Sequence, residues 1–263
     1  MKLITFSLER KFKKILPSFF KNFTIFLLCN SFFGKLIKFF KIKTNFFGGF
    51  FDYSLVSDKD AARIFWGVWE SAEIRFSKRF ANSQTIIELG SSVGVTLGVL
   101  SKKRKNTKFI CIEASKKNFE KLKILKDQLS KENDYILINK ALAYGVEKVS
   151  FFETNTSTSH QIDFSKDTQK KKYNAPTDNV TAISLSKVIE SYDVKGKYCL
   201  ISDIEGADAA IFYNDIVSLD NCERIIAELD DSPLGTIDDQ IEKLKSIGFS
   251  VTERYGQVIV LSR

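Results

Sequence analysis

Thr85-Ile-Ile-Glu-Leu-Gly-Ser-Ser-Val-Gly94 is the stretch that decides the fold. Four of its first five residues are apolar or β-branched, so they read as a buried strand. Gly90 ends that strand in a tight turn and lets a ligand approach the backbone closely. Gly94 lets the next helix pack tightly on the strand. Around this corner, short apolar runs alternate with polar helical ones. Strands are expected at 85–89, 108–113, 135–139, 198–202 and 224–228, with an added strand at 149–153. Helices are expected at 95–102, 116–129 (Phe119, Leu122 and Leu129 on one side), 185–192, 207–213 and 237–247. Residues 250–253 and 258–261 read as a closing hairpin around Tyr255-Gly256. Strands apolar throughout, separated by helices, imply an α/β, Rossmann-like fold. Its sheet is mostly parallel and covered on both faces, with an antiparallel strand at one edge.

Ligands bind such sheets at the carboxyl ends of the strands, near the switch in strand order. The first of these ends is ExGxxxG. Ser92 stands where a dinucleotide fingerprint needs its second glycine, which weakens a nicotinamide dehydrogenase reading, and no GK[ST] follows, which excludes a Walker loop. Glu113 ends the second strand, 23 residues past Gly90, where an acid can accept hydrogen bonds from both ribose hydroxyls of an adenosine. A nucleoside without a pyrophosphate, such as S-adenosylmethionine, suits this form. The plain alternative is a strand–turn–helix corner with no ligand.

The net charge of +8 is local. Residues 1–50 carry ten Lys/Arg and the single acid Glu9, plus 13 of the 24 Phe, while the other 213 residues carry 30 basic and 31 acidic side chains. We therefore expect a basic, Phe-rich helical arm (1–50, helices near 4–28 and 31–42) and a catalytic domain (51–263). No apolar run reaches the 18 or so residues of a spanning helix. Lys and Phe together suit an anionic membrane surface, at about 1 kcal/mol per charge. Packing on the domain and docking to a protein are the other readings of the arm. Nucleic acid is not expected as a partner, since no recognised motif accompanies the charge. After the arm, Ser57 caps a helix expected to run to about Arg79. Cys29, Cys111, Cys199 and Cys222 form no CxxC pair and read as reduced, buried thiols, which fits a cytoplasmic protein.

Several segments in order resemble the FkbM family of S-adenosylmethionine-dependent methyltransferases, over about residues 84–230. They are Ile87-Glu-Leu-Gly-Ser-Ser-Val-Gly94, Cys111-Ile-Glu-Ala-Ser115, Asn139-Lys-Ala-Leu-Ala143, Ser184-Leu-Ser-Lys, Ser202-Asp-Ile-Glu-Gly-Ala-Asp208 and Ile226-Ala-Glu228. The resemblance implies methyl transfer to oxygen, often on a sugar or other hydroxyl-bearing acceptor. Glu88, Gly90, Ser91 and Gly94 would surround the methionine part of the cofactor and Glu113 the ribose. Ala114 and Ser115 would flank the adenine, with Asn139, Lys140 and Ala141 at its edge. Asp203 and Glu205 would face the transferred methyl. Where family members commonly carry Asn or Ala after the first glycine, this chain has Ser91, and the arm is foreign to the family pattern.

A hydroxyl acceptor needs a base within about 3 Å. Asp203, Glu205 and His160 are the candidates, His160 lying in the polar loop Thr156-Ser-Thr-Ser-His160. Thr156 and Ser157 could donate to the cofactor carboxylate or the acceptor. A Mg²⁺ on Asp203, Asp230 and Asp231 stays open, against the reading of Asp230-Asp231 as a helix-capping pair. The polar stretch 154–180 reads as a lid or substrate loop. The expected function is an O-methyltransferase for a glycan or glycolipid precursor, held by its arm at the inner face of a membrane. The alternative is a membrane-peripheral assembly protein that kept the sheet and lost turnover.

Overall fold

The computed structural model describes residues 27–77, 83–153, 160–162 and 178–263. They divide into two compact units: the described residues up to Gly48 with Asp52–Trp69, and Gly49–Phe51 with Glu70–Arg263.

In the first unit, helix α1 (Ser31–Phe39) starts at Asn30, whose Oδ1 accepts from Phe32 N and Phe33 N at 2.9 and 3.1 Å. That is the N-cap bond that satisfies orphan donors of a first turn. Gly34 and Ile37 form its buried face. A side chain at Gly34 would run into the Asp58 carbonyl, so α1 and α2 (Asp58–Phe65) meet backbone to backbone. Lys38 locks the pair, with Nζ 2.7 Å from the Asp58 carboxylate and 2.7 Å from the Val56 carbonyl. Ser57 caps α2 as expected, accepting from Asp60 N at 3.2 Å. The expected single helix to Arg79 is broken, however. Gly67 takes φ +67° and donates to Ile64 O, while Val68 N donates to Arg63 O. This is the Schellman closure, which needs a left-handed residue. The apolar spacing continues through Val68 and Trp69, so only the glycine marks the stop. Of the arm helices, 31–42 corresponds to α1, and 4–28 lies almost wholly outside the described residues.

The second unit begins with α3 (Ser71–Ser77). There follow β1 (Thr85–Leu89), α4 (Val95–Lys103), β2 (Lys108–Ile112), α5 (Lys116–Lys126) and β3 (Asp134–Ile138). Next come β4 (Ala141–Leu142), β5 (Lys148–Glu153), β6 (His160–Ile162) and β7 (Asp178–Ile183). The chain ends with α6 (Leu185–Ser191), β8 (Tyr198–Ser202), α7 (Asp208–Asn214), β9 (Cys222–Glu228), α8 (Ile237–Lys245), β10 (Ser250–Tyr255) and β11 (Val258–Ser262).

Seven strands form one sheet in the order β10-β11-β9-β8-β1-β2-β3. All pairs from β9 to β3 are parallel, and β11 runs antiparallel to both β9 and β10, so the terminal hairpin makes the edge. Burial on both faces explains the unbroken apolar runs. Every residue of β1 and β8 is buried. From β1 the chain passes to β2 and β3 on one side, and later returns to β8 and β9 on the other. The switch point therefore lies between β1 and β8.

A second sheet, β4-β7-β5-β6, closes over Ala141, Ala143, Val149 and Val180. Here the polar stretch read as a loop at 154–180 ends differently. Its last residues begin strand β7, and 160–162 is strand β6; the rest lies outside the described residues. On α5 the buried face is Asn118, Leu122 and Leu125, with Leu129 beyond its end, a spacing of four, three and four. Phe119, expected on one side with Leu122 and Leu129, is half-buried beside that face, with the Lys123 ammonium 5.6 Å from its ring centre. All four cysteines are free and buried.

Candidate active site

At the switch point the β1 strand ends and the chain reverses sharply. Gly90 has φ +78°, and a Cβ there would run into the Asp203 carbonyl at the end of β8. Both Gly90 N and Ser91 N donate to Ile112 O, at 2.9 and 3.0 Å, tying the turn to β2. Ser92 follows in the left-handed region at φ +47°, strained for a residue with a side chain. Gly94, at φ +85°, starts α4; a Cβ there would lie 2.6 Å from Leu125 and 2.7 Å from Leu122 on α5. The turn is thus clamped between β8, β2 and α5.

Glu113 points into this turn. Its Oε2 accepts from Ser92 N at 2.7 Å and its Oε1 from Ser115 N at 2.8 Å. A buried carboxylate held by backbone donors is strongly oriented. Ser115 caps α5, accepting from Asn118 N. Asn139 closes the neighbouring strand end, donating to the carbonyls of Glu113 (2.8 Å) and Ala114 (3.2 Å). Ala114 packs against the small-residue core that contains Ala141. Glu113, Ala114, Ser115 and Asn139 therefore stand together at the ends of β2 and β3. Ala141 is a buried wall residue behind Ala114. Ser91 turns inward, donating to Glu88 O at 3.2 Å.

A group of carboxyls lies beside the turn. Glu88 is buried on β1 against the Cys111 thiol, 3.6 Å away. Burial pushes it up to about 8, and Glu70 and Glu113 add repulsion, against hydrogen bonds from Cys111 and Ser91. Asp203 ends β8 and is raised well above the carboxylate range by burial and then by Glu228, Glu73, Glu70 and Asp208. Glu205 follows in a left-handed turn at φ +53° and is raised by burial, Asp230 and Glu228. Asp203 and Glu205 thus share the influence of one charge, that of Glu228. His160 lies on β6, opposite Glu153 in the register, and its side chain is outside the described structure, as are Thr156 and Ser157.

Three members of the set, Glu70, Glu73 and Glu228, are not among the residues expected here from sequence. Glu73, on α3, is 4% exposed, and burial, then the charges of Glu70 and Glu228, push it up to about 7. Glu70, at φ +47°, accepts from the Thr96 amide (3.2 Å) and hydroxyl (2.8 Å) on α4. The one signal for Glu73 is an acid set between Ala72, Ile74 and Phe76 in a helix whose apolar residues are buried.

Asp230 and Asp231 do not gather around Asp203 as a metal set. Asp231 accepts from Ile237 N at 2.8 Å at the start of α8, and the Gln257 amide donates to Asp230. No three metal-ligating side chains cluster among the described residues. Lys140, expected at the adenine edge, lines a separate cleft of about 440 Å³ together with Tyr144, Ser184 and Asp215.

The buried acids make stability depend on pH. Burial pushes Glu73 and Asp208 up to about 7, as it pushes Glu88 to about 8. The folded chain therefore holds protons that the unfolded chain has released. Stability is fully present below the ordinary carboxylate range and is lost as pH rises through the raised values, each tenfold gain in a group's proton affinity on folding being worth about 1.4 kcal/mol. We expect the melting temperature to fall between pH 5.5 and 8.5, and Glu88→Gln to flatten that fall. Calorimetry of both proteins across this range checks it; a rise toward pH 8.5 would contradict the assignment.

A glycine turn at the switch point, faced by the acid that follows the next strand, stands where a Rossmann-like methyltransferase would hold its cofactor. The Methyltransferase FkbM domain matches residues 88–251, and the chain belongs to that family. It is an S-adenosylmethionine-dependent methyltransferase. No curated protein matches the chain. Among solved structures, it is similar to the N-terminal domain of EvdMO1 with SAH bound (10% identity, TM-score 0.45, 88% of this chain and 94% of that one). It is also similar to Streptococcus pneumoniae Sp1610 in complex with S-adenosyl-L-methionine (14%, 0.42, 73% and 72%). A third similar structure is a protein from Listeria monocytogenes serotype 4b (12%, 0.42, 73%), of which the chain spans 66%.

Proposed function

We propose that this methyltransferase acts on a hydroxyl of a sugar, glycan or glycolipid precursor, at the inner face of an anionic membrane. The observation that carries the chemistry is the place of Asp203, at the carboxyl end of β8 against the Gly90 turn, where burial raises the proton affinity of its carboxyl. The residues fit S-adenosylmethionine. Glu113 offers an oriented carboxylate to a ribose diol, and the acidic set suits a cation. When bound, the cofactor supplies a methyl already activated on its sulfonium. The chain's own task is then to align the acceptor oxygen and receive its proton.

Support for the membrane comes from the first unit. Phe32, Phe39, Phe40 and Phe46 are 62–78% exposed, in a segment that also exposes Lys35 and Lys41. Apolar side chains with flanking lysines suit a headgroup layer. No helix among the described residues is long and apolar enough to cross a membrane.

Surface glycans from cells with and without the protein, compared by mass spectrometry, should differ by the roughly 14 daltons of one CH₂, the replacement of a hydroxyl proton by a transferred methyl. Identical profiles would argue against a glycan acceptor. The full chain should float with phosphatidylglycerol vesicles and not with phosphatidylcholine ones. Phe39→Ser/Phe40→Ser should abolish flotation, and retention would remove the lipid role.

A further inference from the structure

Helix α4 starts at the cofactor turn and brings no cap of its own. Its N-cap is Gly94, which has no side chain to accept from the amides of the first turn. Glycine stands there because a Cβ would run into Leu122 and Leu125. The first bond within the helix runs from Gly98 N to Gly94 O at 2.9 Å, so the amides of residues 95–97 need acceptors from outside it. Thr96 is 1% exposed, and its hydroxyl needs a partner as well. One carboxylate from 26 residues earlier in the chain meets both needs of Thr96. Glu70 Oε2 accepts from Thr96 N at 3.2 Å and from Thr96 Oγ1 at 2.8 Å.

The chain holds Glu70 in place against a conformational cost. Glu70 takes φ +47°, where a residue with a side chain is strained. Its carbonyl accepts from Ile74 N at 3.1 Å at the start of α3, while its side chain serves the start of α4. One strained residue thus joins the first turns of two helices. Glycine would relieve the strain and keep the α3 bond, but it would leave Thr96 without the carboxylate. We propose that Glu70 is a positioning residue for the cofactor. It caps α4 in place of the missing N-cap side chain and so holds the Gly90–Gly94 turn in its binding shape.

The other anchors of the turn act before α4 begins. Gly90 lies against the Asp203 carbonyl, Glu113 holds Ser92 N, and Gly94 N donates to Ser91 O at 2.8 Å. Further along, Phe50 N donates to Gly98 O at 3.1 Å, which ties down the body of the helix. Glu70 secures the first turn between these two regions. Without it, nothing in the side chain of Gly94 opposes a change of its left-handed angle, and the turn before it moves too. Thr96 N is already engaged by Glu70, so the carboxylate acts on the cofactor through the helix. S-adenosylmethionine and S-adenosylhomocysteine share their adenosine and amino-acid ends, and a misplaced turn weakens both alike. The Glu70 charge also reaches Glu88 and Asp203. An effect through charge would instead fall on the sulfonium alone, since the thioether is neutral.

The test needs no acceptor. Titration calorimetry of the full-length protein with each ligand is run beside circular-dichroism melts of the same samples. Glu70→Gly removes the carboxylate and suits φ +47°. Its melting temperature should stay close to wild type while both ligands bind about tenfold more weakly. Glu70→Gln keeps one acceptor oxygen and should recover most of the affinity. Thr96→Val removes the hydroxyl alone and should weaken both ligands about threefold. Glu70→Gly/Thr96→Val should bind no more weakly than Glu70→Gly, because both substitutions act through one contact. Unchanged affinity in folded Glu70→Gly, additive losses in the double variant, or weaker binding of S-adenosylmethionine alone would each overturn the inference and leave the cofactor site intact. Should Glu70→Gly fail to fold, Thr96→Val decides: an equal loss for both ligands supports the inference, and unchanged affinity overturns it. Binding of neither ligand by the wild type overturns the cofactor site itself, and the inference with it.

Discussion

Glu113→Ala is expected to weaken S-adenosylmethionine binding by tenfold or more in a calorimetric titration. Hydrogen bonds to an ionised group contribute about 1.5–3 kcal/mol each, and about 1.4 kcal/mol corresponds to a factor of ten. The substitution removes any bonds to the ribose hydroxyls and also two bonds within the site. Ser92 N and Ser115 N each lose an acceptor, at 2.7 and 2.8 Å in the intact protein. Ser92 sits at φ +47°, and the Glu113 bond helps to hold it there. The turn should therefore loosen as the affinity falls. Glu113→Gln separates the two effects. Its amide oxygen can still accept one backbone bond, so the turn keeps part of its support while the charge is gone. Binding by Glu113→Gln should lie between wild type and Glu113→Ala. Circular dichroism at each titration temperature confirms that the variants are folded. Undiminished affinity in Glu113→Ala would show that Glu113 serves only the backbone.

The parts legible in the sequence are those governed by local rules. Thr85–Leu89 and Tyr198–Ser202 read as strands because both faces are buried, and a continuous apolar run has few other uses. Gly90 and Gly94 are legible because each occupies a left-handed turn against a close neighbour. Glu113 can be placed because a strand's end in this fold fixes where its next residue stands. What escapes a sequence reading depends on contacts distant in the chain. Glu73 gains its meaning from Glu228, 155 residues later, across a helix–strand packing that no local pattern encodes. The stop at Gly67 is hidden by apolar spacing that continues past it, with no proline to reinforce the break. The buried face of α5 runs through Leu125, not Phe119, because the closure of Gly94 onto that helix fixes its rotation. The second sheet is carried by strands as short as Ala141–Leu142, too brief to show a period.

Asp203→Asn should cut methyl transfer by about 100-fold or more, within the usual range for a lost general base. An assay that fits the unidentified acceptor is transfer of labelled methyl from the cofactor into glycolipid extracts of cells lacking the protein. The asparagine side chain is close in shape to the acid, and the bond from Asp203 N to Leu89 O at 3.1 Å belongs to the backbone, so the turn should survive. Cofactor affinity should fall far less than turnover, because the amide keeps the shape of the side chain and leaves the Glu113 contacts untouched. The pH profile supplies the decisive contrast. Asp203 must be ionised to accept a proton, and burial raises its proton affinity well above the usual carboxylate range. Wild-type transfer should therefore decline as pH falls through that raised value. Asp203→Asn has no such group, so its residual rate should lose this acid limb. If the variant retains both rate and limb, the proton goes elsewhere. Glu205 and Glu228 are then the next groups to replace, since both face Asp230 in the same acidic set.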